Sequence, residues 1–203
     1  MRRFQRGVRP AVLADKEEAW GLEWEERHAQ GGAFSWRVVD KLPLNQHLLP
    51  ALKEQTQDHC SFCDIFPVTP PSRDTIEHFK PKSRFPTEAF LWINLYYCCM
   101  HCQLQKKEKF DEDLLRPDAQ DYSFDRYFRW DFTRGELLVN ERGSDADRRR
   151  AKITIELYGL NQGHPRLRRR EIGLWIRRDG LPLDDFAYRD FLEESDRSTS
   201  GQV

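Results

Sequence analysis

Residues 60–110 decide the fold: CSFCDIFPVTPPSRDTIEHFKPKSRFPTEAFLWINLYYCCMHCQLQKKEKF. The stretch opens on Cys60-Ser61-Phe62-Cys63 and, after residues 64–98, returns to Cys99-Met100-His101-Cys102. Two residues between paired cysteines let one tight turn present both thiolates to a tetrahedral ion, and four thiolates close a structural zinc site. Free cysteines that merely pack rarely fall in two such pairs, and the odd total of five argues against a disulfide framework. The expected cofactor is a structural Zn²⁺ on Cys60, Cys63, Cys99 and Cys102. Cys98, His59 and His101 lie close enough to leave the ligand set open, with Cys98 expected as a packed thiol and both histidines at the surface. The insertion between the pairs is longer than a zinc ribbon requires.

That insertion carries Ile76-Glu77-His78-Phe79-Lys80-Pro81-Lys82. Residues 74–79 alternate enough for a short strand that Pro81 ends, after a Pro-Pro loop over 68–73. The apolar run 90–97 leads into the second cysteine pair, and 103–110 reads as a short basic helix, so the local order is strand, loop, strand, helix. Outward from this core, 12–30 is expected as a helix with Leu13, Trp20 and Trp24 on one face, stopped by Gly31-Gly32. A second helix over 45–58 buries Leu48, Leu49 and Leu52, with Pro50 tolerable near a first turn. Residues 127–130 and 137–139 flank a Gly135 turn as a hairpin, and helices follow over 145–158 and 165–178, with 195–203 expected to fray.

The 203 residues, 33% charged and 12% aromatic, suit one compact α+β unit: a helical extension over 1–58, a core over 59–113, and a hairpin with helices over 114–203. No apolar run is long enough to span a bilayer, and no signal-peptide core follows Met1-Arg2-Arg3, so cytoplasmic residence without membrane contact is the expectation. A net charge of −1 gives no global pull on a polyanion. Attraction must come from local clusters, of which Lys80/Lys82, Lys106/Lys107/Lys109, Arg148 to Arg150, Arg166, Arg168 to Arg170, Arg177 and Arg178 are the candidates; such runs are often no more than solvated helix faces.

A Glu-His pair on a strand usually means nothing. Between two cysteine knuckles, followed by Trp92-Ile93-Asn94-Leu95 and a basic helix, it means more. The stretch resembles the HNH (His-Me finger, ββα-metal) endonucleases, and among them the PtuB-like nucleases of Septu-like and retron-associated phage-defence systems. The likeness rests on IEHFxPK at 76–82 and W-x-NL-x3-C-x2-C-x3-K from Trp92 to Lys106, and continues weakly through 114–118, the Gly135 hairpin and 151–161. The resemblance implies a ββα-metal core flanked by helices and a hairpin. His78 becomes the general base; Glu77, where Asp is commoner, a ligand of catalytic Mg²⁺ or Mn²⁺; and Asn94 a tie between loop and hairpin. On an extended segment Glu77 should face away from His78 unless the strand end twists.

The third letter of the motif, usually His or Asn, falls on Gln103, which keeps an oxygen acceptable to the metal but on a longer arm. Lys80, Lys82 and Lys106 sit where they could hold the scissile strand. Phe79, Phe85, Phe90, Trp92, Tyr96 and Tyr97 read as core, and His28, His47 and His164 as surface residues. The leading expectation is a DNA endonuclease serving as effector of a defence pair, with an ATPase partner because the chain has no nucleotide-binding loop. Two alternatives stand beside it: a nuclease acting on RNA or tRNA, and a catalytically inactive, zinc-stapled module that binds nucleic acid or protein.

Overall fold

The computed structural model describes residues 1–66, 74–175 and 181–200. The loop expected over 68–73, Arg177, Arg178, the end of the chain at 201–203 and the side chain of His164 lie outside the described set.

Ala11–Leu13 form one 3-10 turn and α1 spans Glu17–Ala29. The single helix predicted over 12–30 is thus broken near its start, where Asp15 takes φ +57°, a left-handed conformation that short polar side chains tolerate. β1 (Val38–Val39) and β2 (Leu42–Pro43) make a small hairpin turned through Asp40 and Lys41, both at positive φ, which the sequence reading did not anticipate. In α2 (Leu44–Glu54), Leu44, Leu48 and Leu52 form the buried stripe, at the i, i+4, i+8 spacing of one helical face. Pro50 lies inside this helix, not in its first turn. It is exposed, so the carbonyl its missing N–H leaves unpaired lies on the wet side. The predicted end at 58 moves back to Glu54 because Gln57 and Asp58 turn the chain at positive φ.

β3 (Asp74–His78) pairs antiparallel with β4 (Leu95–Cys99), Asp74 opposite Cys99 and His78 opposite Leu95. β4 is buried at every residue, as its unbroken apolar run requires. α3 (Met100–Lys106) begins at the second cysteine pair, earlier than predicted, and stops where Lys107 takes φ +51°. Farther on come α4 (Phe124–Tyr127), the antiparallel pair β5 (Phe128–Asp131) and β6 (Glu136–Val139), α5 (Asp145–Leu157), α6 (His164–Trp175) and α7 (Arg189–Ser200). α5 is capped by Ser144, whose hydroxyl accepts from the Asp147 amide. α7 occupies part of the segment expected to fray. Its first residue explains the order: Arg189 donates to Asp64 beside the first cysteine pair, Nη2 to Oδ1 at 2.8 Å, with both residues buried.

The result is a mixed α+β chain with three small antiparallel sheets among the described residues. Among them, no helix is long and apolar enough to cross a membrane. α1 braces the loop between β3 and β4 at three points. Glu17 accepts from the Trp92 amide at 2.8 Å, the Trp24 indole donates to the Lys82 carbonyl at 2.9 Å, and Gly21 lies so near Thr87 that a Cβ would stand 2.1 Å from its carbonyl oxygen. From the N-terminal segment, Arg6 donates to the Trp92 and Leu95 carbonyls and to Asp118, which also receives the Tyr96 hydroxyl and Arg116.

Candidate functional site

The four cysteines of the two pairs converge. Their sulfurs lie within 4.8 Å of one another, and all four residues are buried. Zn–S bonds of about 2.3 Å in a tetrahedron put sulfurs about 3.8 Å apart, and Cys63 and Cys99 stand at 3.6 Å. The Cys99 amide donates to the Cys60 sulfur at 3.4 Å, which favours thiolate. Burial, the largest influence, raises the Cys60 thiol, yet hydrogen bonds from Cys102 and Cys63 draw it well below its usual range; hydrogen bonding with Cys102 pushes Cys63 up, and burial pushes Cys102 up. Four thiolates in so dry a place need a cation, and the donor set suits zinc. Cys98 stays outside the set, buried, with its thiol on the Cys99 carbonyl at 3.3 Å.

The neighbouring histidines are not surface residues. His59 is fully buried, its ring nitrogens 2.6 Å from the Gln57 carbonyl and 2.8 Å from that of Phe186, and it stacks on Phe66. His101 is half-buried against the Gly159 carbonyl at 3.1 Å. His28 and His47 likewise meet the carbonyls of Ser83 and Val39. In each case a carbonyl from a distant or adjoining turn captures the ring, which residue type alone does not announce.

Beside this centre lies a cleft of about 360 Å³ lined by Phe34, Trp36, Glu77, His78, Lys82 and Gln103, with Lys107 and Glu108 at its edge. Glu77 and His78 both line it although they are consecutive, because β3 ends at His78 and the alternation ends with it. His78 is 7% exposed, and its Nε2 lies 3.0 Å from the Ala89 carbonyl. A carbonyl only accepts, so Nε2 carries the proton and Nδ1 keeps the basic lone pair. The ring lies flat on Trp36, centroids 5.4 Å apart at 19°, and meets the edge of Phe34. Burial, then the charges of Lys82 and Lys106, press His78 down to about 3, so the free protein holds it neutral.

Among the described residues the Asn94 side chain hydrogen-bonds only to backbone. Its amide nitrogen donates to the Lys80 and Glu88 carbonyls, and its oxygen accepts from the Lys80 amide. Glu88 adjoins Ala89, whose carbonyl orients His78, so Asn94 fixes the turn that fixes the ring. Gln103 spends its amide nitrogen on the Ile76 carbonyl at 3.2 Å, leaving its oxygen as acceptor.

Two of the three lysines expected on substrate are elsewhere. Lys106 is wholly buried, with its ammonium 2.6 Å from Glu77 Oε1, because an acid this deep requires a partner. Burial pushes Glu77 up, to about 7, against the pull of that ammonium. Lys80 pairs with Glu88 at 2.8 Å and lines a different cleft with Asn94 and Phe110. Lys82 alone lines the His78 cleft, its ammonium 5.2 Å from the Phe34 ring centre.

The arginine clusters are largely spent on neighbours. Arg148 pairs with Asp145, Arg149 with Asp113, Arg166 with Glu136 and Arg168 with Glu171, while Arg150 donates to the Tyr127 hydroxyl. Arg169 is buried, bonded to the Gly135 and Leu160 carbonyls, and burial lowers it to about 10. Phe34 and Trp36 are the cleft residues that sequence reasoning missed. Their only signal is an aromatic at every second position in Phe34-Ser35-Trp36, with nothing local to join them to a histidine far along the chain.

No protein-family model matches the chain, and no curated protein matches it.

Proposed function

We propose that this protein is an HNH-type endonuclease that hydrolyses phosphodiester bonds, with β3, β4 and α3 as its ββα-metal core and the four-cysteine centre as a structural zinc site. The observation that carries the reading is the state of His78: a neutral ring, pinned through Nε2–H to a carbonyl and clamped between aromatics, with Nδ1 as the free base in a cleft that also holds a carboxylate and a lysine. General-base catalysis needs that arrangement, a nitrogen held still within reach of water. Burial first, then Lys82 and Lys106, depress the ring's basicity in the free protein; a bound phosphodiester brings a charge opposite to the lysines and restores the part that they remove. Lys82 is the cation that meets the phosphate.

The donors fit a catalytic divalent ion. Lys106 takes one oxygen of Glu77 and leaves the other, and Gln103 keeps its carbonyl oxygen, so two oxygens serve one cleft. Mg²⁺ and Mn²⁺ accept such sparse sites, completing their shells with water and phosphate. When bound, the ion stabilises charge developing on the phosphate and the leaving oxygen. DNA as substrate, and service as effector of a phage-defence pair with an ATPase partner, follow from the resemblance, and the net charge of −1 supports dependence on a partner for tight nucleic-acid binding.

One observation favours the inactive binding module: the Lys106 ammonium already neutralises Glu77, where a metal would otherwise be expected. The two readings separate on end-labelled DNA and RNA with Mg²⁺ or Mn²⁺, with and without a neighbouring ATPase and ATP. Cutting by wild type and not by folded, zinc-loaded His78→Ala supports the nuclease; no cutting of either polymer by wild type leaves the binding module.

A further inference from the structure

We infer that the His78 cleft takes an unpaired nucleotide, its base stacked on Trp36 and its phosphate between His78 and Lys82, so that the substrate is single-stranded nucleic acid in preference to intact duplex. The inference deepens the nuclease reading and rests on it for the phosphate; the aromatic wall carries the base.

Trp36 shares with Trp20 and Trp130 a half-buried position and an indole N–H that makes no hydrogen bond among the described residues, and differs from them in lining the His78 cleft. Trp24 and Trp92 are each 4% exposed, and both direct the indole N–H at a backbone carbonyl, of Lys82 and Gly7. Trp36 is half-buried and lines the cleft, and among the described residues its indole N–H makes no hydrogen bond. One of its faces lies on His78; Phe34 and Phe90 meet it edge-on, each at 81°. A half-buried indole in the cleft wall, beside a candidate base catalyst, is a stacking surface.

Charge decides between single strand and duplex. Duplex binding draws its affinity mainly from many phosphate contacts. Around this cleft Lys106 is spent on Glu77, and among the described residues only Lys82 and Lys107 line it as further cations, the Lys82 ammonium 3.9 Å from the Glu108 carboxylate. Stacking on an aromatic ring supplies affinity where phosphate contacts are few, and in a duplex both faces of each base are already covered by neighbours. A strand with unpaired bases therefore gains most from this surface.

The test measures binding without cleavage, on zinc-loaded full-length protein with no Mg²⁺ or Mn²⁺ added, by anisotropy of a labelled oligothymidylate of roughly a dozen nucleotides, its RNA counterpart and the matching duplex. Single strands are expected to bind at least about tenfold tighter than duplex, Trp36→Leu to weaken them by about tenfold or more, and Trp36→Phe to keep most of the affinity. A bromouracil-substituted strand irradiated on wild type is expected to crosslink to the peptide bearing Phe34 and Trp36, a readout that stands even if Trp36→Leu fails to fold. Duplex bound as tightly as single strand, no binding of either, unchanged binding by folded Trp36→Leu, or crosslinks confined to other peptides would overturn the inference. Single strands bound in this pattern but never cut would uphold it and remove the nuclease reading; His78-dependent cutting of duplex with no single-strand preference would do the reverse.

Discussion

Lys106 Nζ lies 2.6 Å from Glu77 Oε1 and 2.8 Å from the His78 carbonyl oxygen, and no part of the lysine is exposed. α3 thereby grips the end of β3 through a charge that faces inward. Removing the ammonium leaves a buried carboxylate alone. Lys106→Met is expected to cost about 3–5 kcal/mol, nearer the lower figure because Glu77 can take up a proton instead. Glu77→Gln added to Lys106→Met should recover part of the loss. Urea unfolding measures both, and a Lys106→Met cost below about 1 kcal/mol would contradict the buried pair.

His78 sets an acid limit. Its unfolded value is near 6.5 and its folded value about 3, so below pH 6.5 the unfolded chain binds a proton that the folded chain refuses. Stability from this group is present above 6.5 and falls as pH drops toward 3, by up to about 1.4 kcal/mol per pH unit. Glu77 runs the other way: raised from 4.5 to about 7, it contributes below 4.5 and loses that contribution as pH rises through 7. Unfolding curves of wild type and His78→Gln should therefore converge on acidification from pH 6.5. Curves that stay parallel would mean the ring is not held neutral.

Elemental analysis should find one zinc per chain, and chelation should lower the Tm and loosen the fold, since the four-cysteine centre joins β4 and α3 to the Cys60 turn. Cys102→Ala should lose the metal. Cys98→Ala should keep it, because the Cys98 sulfur lies outside the set. Zinc retained by Cys102→Ala would refute this ligand assignment.

Gly21→Ala tests the brace that α1 gives the loop over the site. A Cβ there would stand 2.1 Å from the Thr87 carbonyl oxygen, which forces helix and turn apart. Alanine favours an isolated helix by about 1 kcal/mol, yet a net loss of about 1–3 kcal/mol is expected because the clash is with backbone. Denaturant unfolding gives the sign, and stabilisation would show that the contact is loose.

What the sequence disclosed was local. The Cys-x-x-Cys pairs, the short β3 strand, the Gly135 hairpin and the helix capped by Ser144 each depend on spacings of a few residues, and each forms. Lys106 was misplaced because a lysine's depth depends on an acid on another element, and on a one-dimensional reading a basic run looks solvated. Trp36 was missed for the same reason, its partner His78 lying beyond three intervening elements. α7 depends on the Asp64–Arg189 pair, made between residues that are remote in the chain. Asp15 shows the converse, a single left-handed residue breaking a helix whose composition favours it.

Imidazole rescue asks whether the His78 ring is the base in phosphodiester hydrolysis. His78→Gly leaves a ring-sized gap against Trp36 while Lys106, Gln103 and the cysteine centre stay in place. Wild type is expected to cut a single-stranded oligonucleotide in Mg²⁺ or Mn²⁺, zinc-loaded His78→Gly is expected not to, and added imidazole is expected to restore cutting in proportion to its neutral form. His78→Gly cutting as fast as wild type without imidazole would contradict that role for the ring.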